Sequence, residues 1–306
     1  MFSRPVTGAG GRHRPLVTGR LGHVLRTATS LRTLERGDRD AVLELCAEDP
    51  CASVMVAERV EQVGTDPVRL GGELWGLFEH GRLVSACWSG ANFIPVSVRS
   101  TAALDAFASR ARRSGAIYSS MFGAADGVLA LWSRLEPLGW RARDVRACQP
   151  LFAIDRTPAV APDPLVHRAK PEDLAAVLPA SIAMFTEEVG YSPVGPDGGA
   201  AYRRRVAELL RQRRTFVRFG PNGEVVFKAD LGAVGSKVAQ VHGVWVDPRW
   251  RGQGIAAPAM AAVVQATLRD EAPVVSLYVN DYNVRALAAY RRAGFEQVGT
   301  FATVLF

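Results

Sequence analysis

One short stretch, Arg251-Gly252-Gln253-Gly254-Ile255-Ala256, restricts the fold of this chain more than any other. A β-rich run over 241–246 and an Asp247-Pro248 turn precede it, and an alanine-rich helical run to about Arg269 follows it. Strand, glycine turn and helix start together make a backbone cradle for phosphate. The first N–H groups of a helix lack intrahelical partners, and the helix dipole adds partial positive charge there. Glycine lets the main chain approach a ligand without a Cβ in the way. Pro258, in the first helical turn, gives up only an N–H that the helix does not use. An α/β fold with a phosphorylated cofactor is therefore expected. The loop has no Lys-Ser/Thr pair after its glycines and an incomplete G-x-G-x-x-G spacing, so neither a nucleoside-triphosphate loop nor a dinucleotide fingerprint fits.

A second segment lies downstream. Ser276-Leu277-Tyr278-Val279-Asn280 reads as a strand, and 281–292 as a helix stopped by Gly294, with Phe295 packing behind. Asn283 and Tyr290 stand two helical turns apart and share a face. Arg251, Gly254 and Ala256 at Arg/Gln-x-x-Gly-x-Gly/Ala spacing, followed by this Asn, Tyr and Gly-Phe, resemble the GNAT superfamily of acetyltransferases over the last third of the chain.

The resemblance implies acetyl-coenzyme A as cosubstrate and no metal. It implies that Arg251, Gly252, Gln253, Gly254, Ile255, Ala256 and Ala257 hold the diphosphate. Val244, Trp245 and Val246 match the strand whose backbone meets the thioester and pantetheine; Asn283 meets the pantetheine, and Tyr290 faces the sulfur as general acid. His242 matches a strand position where some arylalkylamine acetyltransferases carry a catalytic His. Tyr278 stands where many members carry a basic Glu. Glu187 and Glu188 fall in the region that forms the acceptor wall, able to attract a cationic amine or take its proton, and the loop 191–200 reads as a substrate loop. Each residue also has a plainer reading: Asn283 as a helix cap, Tyr290 as core, His242 bonded inside the sheet, the two glutamates as solvated helix-end acids.

Upstream, the chain echoes itself. Leu31 to Leu34 and then Asp38 to Leu43 read as strand and helix, as do Val166 to Ala169 and then Asp173 to Leu178. Each half holds a hairpin, around 79–82 and 220–223, and Gly139-Trp140 before 149–152 echoes Gly294-Phe295 before 303–306. The Pro-rich segment 156–164 reads as a stiff linker. The expected organisation is a basic tail over 1–30, a degenerate GNAT-like domain over 31–155, and a catalytic GNAT domain over 165–306. Each domain is expected to be a mixed, mostly antiparallel central sheet flanked by helices. After 93–98 the first half runs into a helix with no Gly-x-Gly, so only the second half is expected to bind cofactor.

At 306 residues, two domains of ordinary size are expected. No apolar run approaches the ~18 residues of a membrane span. Cys46, Cys51, Cys87 and Cys148 form no metal or redox spacing and read as buried free thiols in a cytoplasmic protein. The net charge of +7 comes almost wholly from arginine, suits a polyanionic cofactor, and brings no nucleic-acid motif with it. Residues 1–30 carry five arginines, no acid and no apolar core of a secretory signal. The expected activity is N-acetylation of a primary amine on a small molecule or protein, with a homodimer as one possible assembly. The alternative is a non-catalytic acyl-coenzyme A sensor or scaffold.

Overall fold

The computed structural model describes residues 29–195 and 198–306. The tail expected over 1–30 lies outside the described residues, apart from Thr29 and Ser30 in the first strand. The first half runs β1 (Thr29–Thr33), α1 (Arg39–Cys46), α2 (Pro50–Val63), α3 (Pro67–Leu70), β2 (Glu73–Glu79), β3 (Arg82–Ser89), β4 (Asn92–Val96), α4 (Thr101–Ser114), β5 (Ser120–Ala124), α5 (Ala125–Leu135) and β6 (Asp144–Ile154). The second runs β7 (His167–Arg168), α6 (Leu174–Val189), α7 (Ala200–Arg211), β8 (Thr215–Phe219), β9 (Val225–Val234), β10 (Val238–Val246), α8 (Ala256–Asp270), β11 (Val274–Tyr278), α9 (Val284–Ala293) and β12 (Glu296–Leu305). Apart from the short α3, the two halves repeat one order of elements.

Local chemistry sets the boundaries. Asp49 accepts from Ala52 N–H at 3.0 Å and Pro50 opens α2 behind it. Asn283 caps α9 in the same way, accepting from Ala286 N–H at 3.2 Å, so the expected helix start at 281 moves to Val284. Gly294, at φ +105°, ends α9 in the left-handed region.

Among the described residues the twelve strands form one mostly antiparallel sheet, in the order β1-β2-β3-β4-β5-β12-β6-β11-β10-β9-β8-β7. The last strand of each half lies in the other half's sheet. β12 pairs with β5, Phe301 opposite Ala124, while β6 pairs with β11, Leu151 opposite Tyr278. β6 and β12 pair antiparallel with each other at the centre. The two sheets expected from the sequence are thus one continuous surface, because each half's closing strand completes the other.

Helices cover both faces. On one face, α8 and α9 bury Met260, Val264, Leu287 and Tyr290 against Phe152, Phe227 and Leu277, while α4 and α5 bury Phe107 and Leu131 against Phe93, Met121 and Val304. On the other, α6 and α7 pack Val177 and Val206 against Val217 and Trp245. Here α2 of the first half reaches across the centre, with Cys51 and Val54 on Leu151, Ala233, Val238 and Phe301. Gln240 Nε2 donates to the Cys51 carbonyl at 3.1 Å, and Arg214 pairs with Glu58 at 2.6 Å across the same seam. Cys46, Cys51 and Cys87 are buried free thiols as expected; Cys148 is exposed, because it lies on the β6 segment before that strand enters the core.

Candidate active site

The site begins where two parallel strands part. β10 and β11 pair only at Val238–Gln240 with Val274–Ser276. Beyond that, β10 bulges. His242 opposes Asp230 and Trp245 opposes Lys228, so Gly243 and Val244 together face Ala229. Gly243 takes φ +55° at the bulge. The parting strands open a cleft of about 620 Å³, walled by β10, β11, α8, α9 and the end of α6. Val244, Trp245, Val246, Arg251, Gly252, Gly254, Ile255, Ala256, Ala257, Asn283, Tyr290, Glu187 and Glu188 all line it. Gln253 and His242 do not.

At one end the backbone is shaped for an anion. Gly252 and Gly254 stand at φ +80° and +76° with open space around them. Ile255, before the first residue of α8, makes no side-chain cap, which leaves the first helical amides free. By contrast the N-terminus of α4 is closed by Ser100 Oγ, which accepts from Ala103 N–H at 3.2 Å. Arg285 and Arg292 line the groove from α9 without an ion-pair partner among the described residues. Arg251 is tied to the protein: Nε donates to the Val246 carbonyl at 2.8 Å and Nη2 to Glu187 at 2.7 Å. The Gln253 side chain turns back to the Arg249 carbonyl at 3.3 Å, which keeps it off the cleft wall. These features fit a diphosphate. Gly254→Val places a β-branched residue at positive φ, a strain of about 1–3 kcal/mol, and should weaken coenzyme A binding about 10-fold or more by calorimetry. Unchanged affinity would remove the loop from the binding site.

The first half keeps the splay but not the cradle. β4 and β5 pair only at Asn92–Phe93 with Ser120–Met121, and a cleft of about 240 Å³ follows. Pro95 on its wall has no N–H, and the carboxylates of Asp49 and Asp126 line it. The α5 start on the same wall is uncapped and Arg99 lines it with the two carboxylates, but the amides that correspond to the α8 cradle, those of α4, are closed by Ser100.

At the other end of the main cleft, Tyr290 is buried and packs edge-on against Phe295 at 6.0 Å. Its hydroxyl has no hydrogen-bond partner among the described residues, and burial, followed by the nearby Glu188 charge, raises its pKa above the ordinary tyrosine value. Glu188 lines the cleft and is exposed to solvent, while the protein around its carboxyl partly desolvates it. This desolvation raises its carboxyl pKa, opposed by the charges of Arg146 and Lys228. Glu187 is occupied, accepting from Trp245 Nε1 at 3.0 Å and from Arg251.

His242 lies outside the cleft. Its ring packs edge-on against Tyr278 at 5.6 Å, in space that Gly232 leaves free: a Cβ at 232 would fall inside the imidazole. The Gln240 amide nitrogen faces the Cys51 carbonyl, so its oxygen faces His242 at 2.9 Å and His242 carries its proton on Nε2. Burial, aided by Arg205, lowers its pKa to about 4. The plainer reading of His242, a neutral ring bonded inside the sheet, matches this position.

One wall residue and one residue behind the wall were not foreseen. Gln149 comes from β6, lines the cleft, and donates to Asn280 Oδ1 at 2.9 Å. Lys228 lies just behind the bulge. Strand exchange brings Gln149 in, and the only hint in the sequence is the echo between the closing strands of the two halves.

The cleft is built largely from a segment that matches a known family. Residues 198–295 match the model of the Acetyltransferase (GNAT) family, and residues 72–177 match a domain of unknown function, DUF4081. No curated protein matches the chain in sequence. Among solved structures, a GCN5-related N-acetyltransferase from Sphaerobacter thermophilus is similar at 17% identity and TM-score 0.57, over 90% of this chain and 95% of that one. A Drosophila protein reaches TM-score 0.62 at 13% identity, over 90% and 98%. A tandem GNAT protein of the clavulanic acid biosynthesis pathway gives 0.51 at 13%, over 90% and 98%. The chain carries a GNAT-family acetyltransferase domain in its C-terminal half, within a fold that these structures share along most of its length.

Proposed function

We propose that the protein transfers an acetyl group from acetyl-coenzyme A to a primary amine, with one cofactor site, in the second half. The observation that carries this reading is a cleft with an uncapped helix start at one end and, at the other, a desolvated carboxylate beside an unpartnered tyrosine hydroxyl. Gly252, Gly254 and the first amides of α8 would hold the diphosphate, Asn283 and the β10 edge the pantetheine. Acetyl-coenzyme A supplies a thioester, whose carbonyl carbon bonds to the amine nitrogen as its bond to sulfur breaks. Glu188, rather than His242, takes the proton from the ammonium, since His242 neither lines the cleft nor has a free lone pair on Nε2. Backbone N–H groups on the unpaired edge of β10 polarise the carbonyl. Tyr290 keeps its proton at neutral pH and passes it to the departing sulfur.

Thiol release from acetyl-coenzyme A, measured against a panel of amines and peptides, tests the reaction. Tyr290→Phe should lower turnover about 10- to 100-fold while calorimetric affinity for coenzyme A stays unchanged. Equal turnover in the variant would remove Tyr290 from proton transfer. Tight cofactor binding with no acceptor above hydrolysis would favour the sensor reading.

A further inference from the structure

Lys228 is fully buried, which is rare for a lysine side chain. Its Nζ donates to Asp230 Oδ2 at 2.7 Å and to the Gly243 carbonyl at 3.3 Å. Asp230 Oδ1 in turn accepts from the buried Thr215 hydroxyl at 2.8 Å. The chain Thr215–Asp230–Lys228 thus ends on the backbone of the residue that makes the β10 bulge. Very little separates this pair from the cleft. A Cβ on Gly243, which lines the cleft, would stand 3.5 Å from Lys228 Nζ, 3.3 Å from Asp230 Oδ2 and 2.8 Å from Met184 Cε.

A buried ion pair is a poor way to gain stability, because apolar side chains of similar size often do as well or better. What this one provides is a fixed donor on one carbonyl. Without it, the Gly243 peptide is free to rotate, and with it the direction of the N–H that follows.

We propose that Lys228 is a positioning residue for acyl transfer, which acts from behind the cleft wall by holding the Gly243 carbonyl and so the bulge that aims the β10 amides at the acyl group. The role rests on the reading of the cleft as an acyl-transfer site. Lys228 also acts on the carboxylate across the cleft. Five charged or titratable groups face Glu188: Arg146 from β6, Lys228 from β9, Tyr202 from α7, Tyr278 from β11 and Tyr290 from α9. Of these only Arg146 and Lys228 are cationic and favour its ionised form. Arg146 also pairs with Asp144 at 3.0 Å, and Lys228 with Asp230 at 2.7 Å. Loss of the Lys228 charge removes one of two counterweights to desolvation.

The test uses the full chain and three readouts on Lys228→Met: turnover, calorimetric affinity for coenzyme A, and NMR of the Val244 and Trp245 amides together with ¹³C titration of the Glu188 carboxyl, assigned with Glu188→Gln. Turnover should fall about 10-fold or more, affinity for coenzyme A should hold within about threefold, the two amide signals should move, and the Glu188 midpoint should rise. Lys228→Arg, which keeps the charge, should bring the midpoint back. If Lys228→Met does not fold, the double variant Lys228→Met/Asp230→Leu removes both charges without leaving one orphaned, and the same fall in turnover and movement of the amide signals are expected. A folded variant whose amides and Glu188 titration match the parent, with turnover within twofold, overturns the proposal. The NMR readouts need no acceptor, so an absence of acetyl transfer in the parent protein would fail the functional reading without deciding this one.

Discussion

Residues 165–306 expressed alone should give no cooperative thermal transition and no coenzyme A binding, although they contain the whole family match. The isolated segment lacks β6, so β11 and β12 lose the strand that joins them. It also lacks α2, which covers Ala233, Val238 and Phe301, all buried in the intact chain. Gln240 loses the Cys51 carbonyl, Arg214 loses Glu58, and the Ser236 N–H loses Glu61 at 2.9 Å. Each large apolar side chain left uncovered costs about 1.5–3 kcal/mol, while a domain is stable by only about 5–15 kcal/mol. A handful of such losses is enough. Circular dichroism melts and calorimetry on the fragment, with and without residues 29–155 supplied as a second chain, provide the measurement. Recovery on mixing is expected; a fragment that melts cooperatively and binds cofactor unaided would overturn the argument from strand exchange.

Glu188→Gln should lower kcat/KM for amine acceptors by about 10²- to 10⁴-fold and leave the affinity for coenzyme A unchanged. In the parent, activity requires ionised Glu188. Its raised pKa places the acidic limb of the pH–rate profile above the ordinary carboxylate range, with activity rising as pH rises through it. The sign for stability is the reverse. A carboxyl with a raised folded-state pKa favours the fold below its unfolded-state pKa, and that benefit is lost as pH rises through the folded-state value. Glu188→Gln should therefore melt higher than the parent near neutral pH, and the difference should shrink in acid. An unshifted acidic limb in the variant, with turnover near that of the parent, would move the base elsewhere.

Much of the second half was legible because its signals are local. Glycines at positive φ, an Asn cap and a seven-residue spacing each act within one or two turns of chain, and Gly252, Gly254, Asn283 and Tyr290 all reach the cleft. Where the outcome turned on distant contacts, sequence reasoning stopped short. His242 has the strand position of a base, but its side chain points to the face that α2 covers, where Gly232 makes room and Gln240 fixes its tautomer. Glu187 has the position of an acceptor-wall acid and is occupied by Arg251 and Trp245. Gln149 lies over a hundred residues upstream of the loop it faces, and only the exchange of closing strands brings it there. The repeat of elements between the halves was readable, whereas the choice of partner for the last strand of each was not, since both have similar apolar patterns.

The Pro-rich segment 156–164 leaves β6 at the centre of the sheet and leads to β7 at its edge, passing over α9 and α8. Ala159 N–H donates to the Ala293 carbonyl at the end of α9 at 2.9 Å, and Asp163 N–H to Pro258 in the first turn of α8 at 3.0 Å. Asp163 is held in turn by Arg218 on β8 at 2.8 Å. Three residues separate the two anchor points, a reach of at most about 14 Å when fully extended, and Pro162 between them stiffens the span. The segment is in effect a ruler laid across the two helices that flank the cofactor groove: the ends of α8 and α9 cannot spread past its length without breaking an anchor, so the groove's upper width is set by covalent chain.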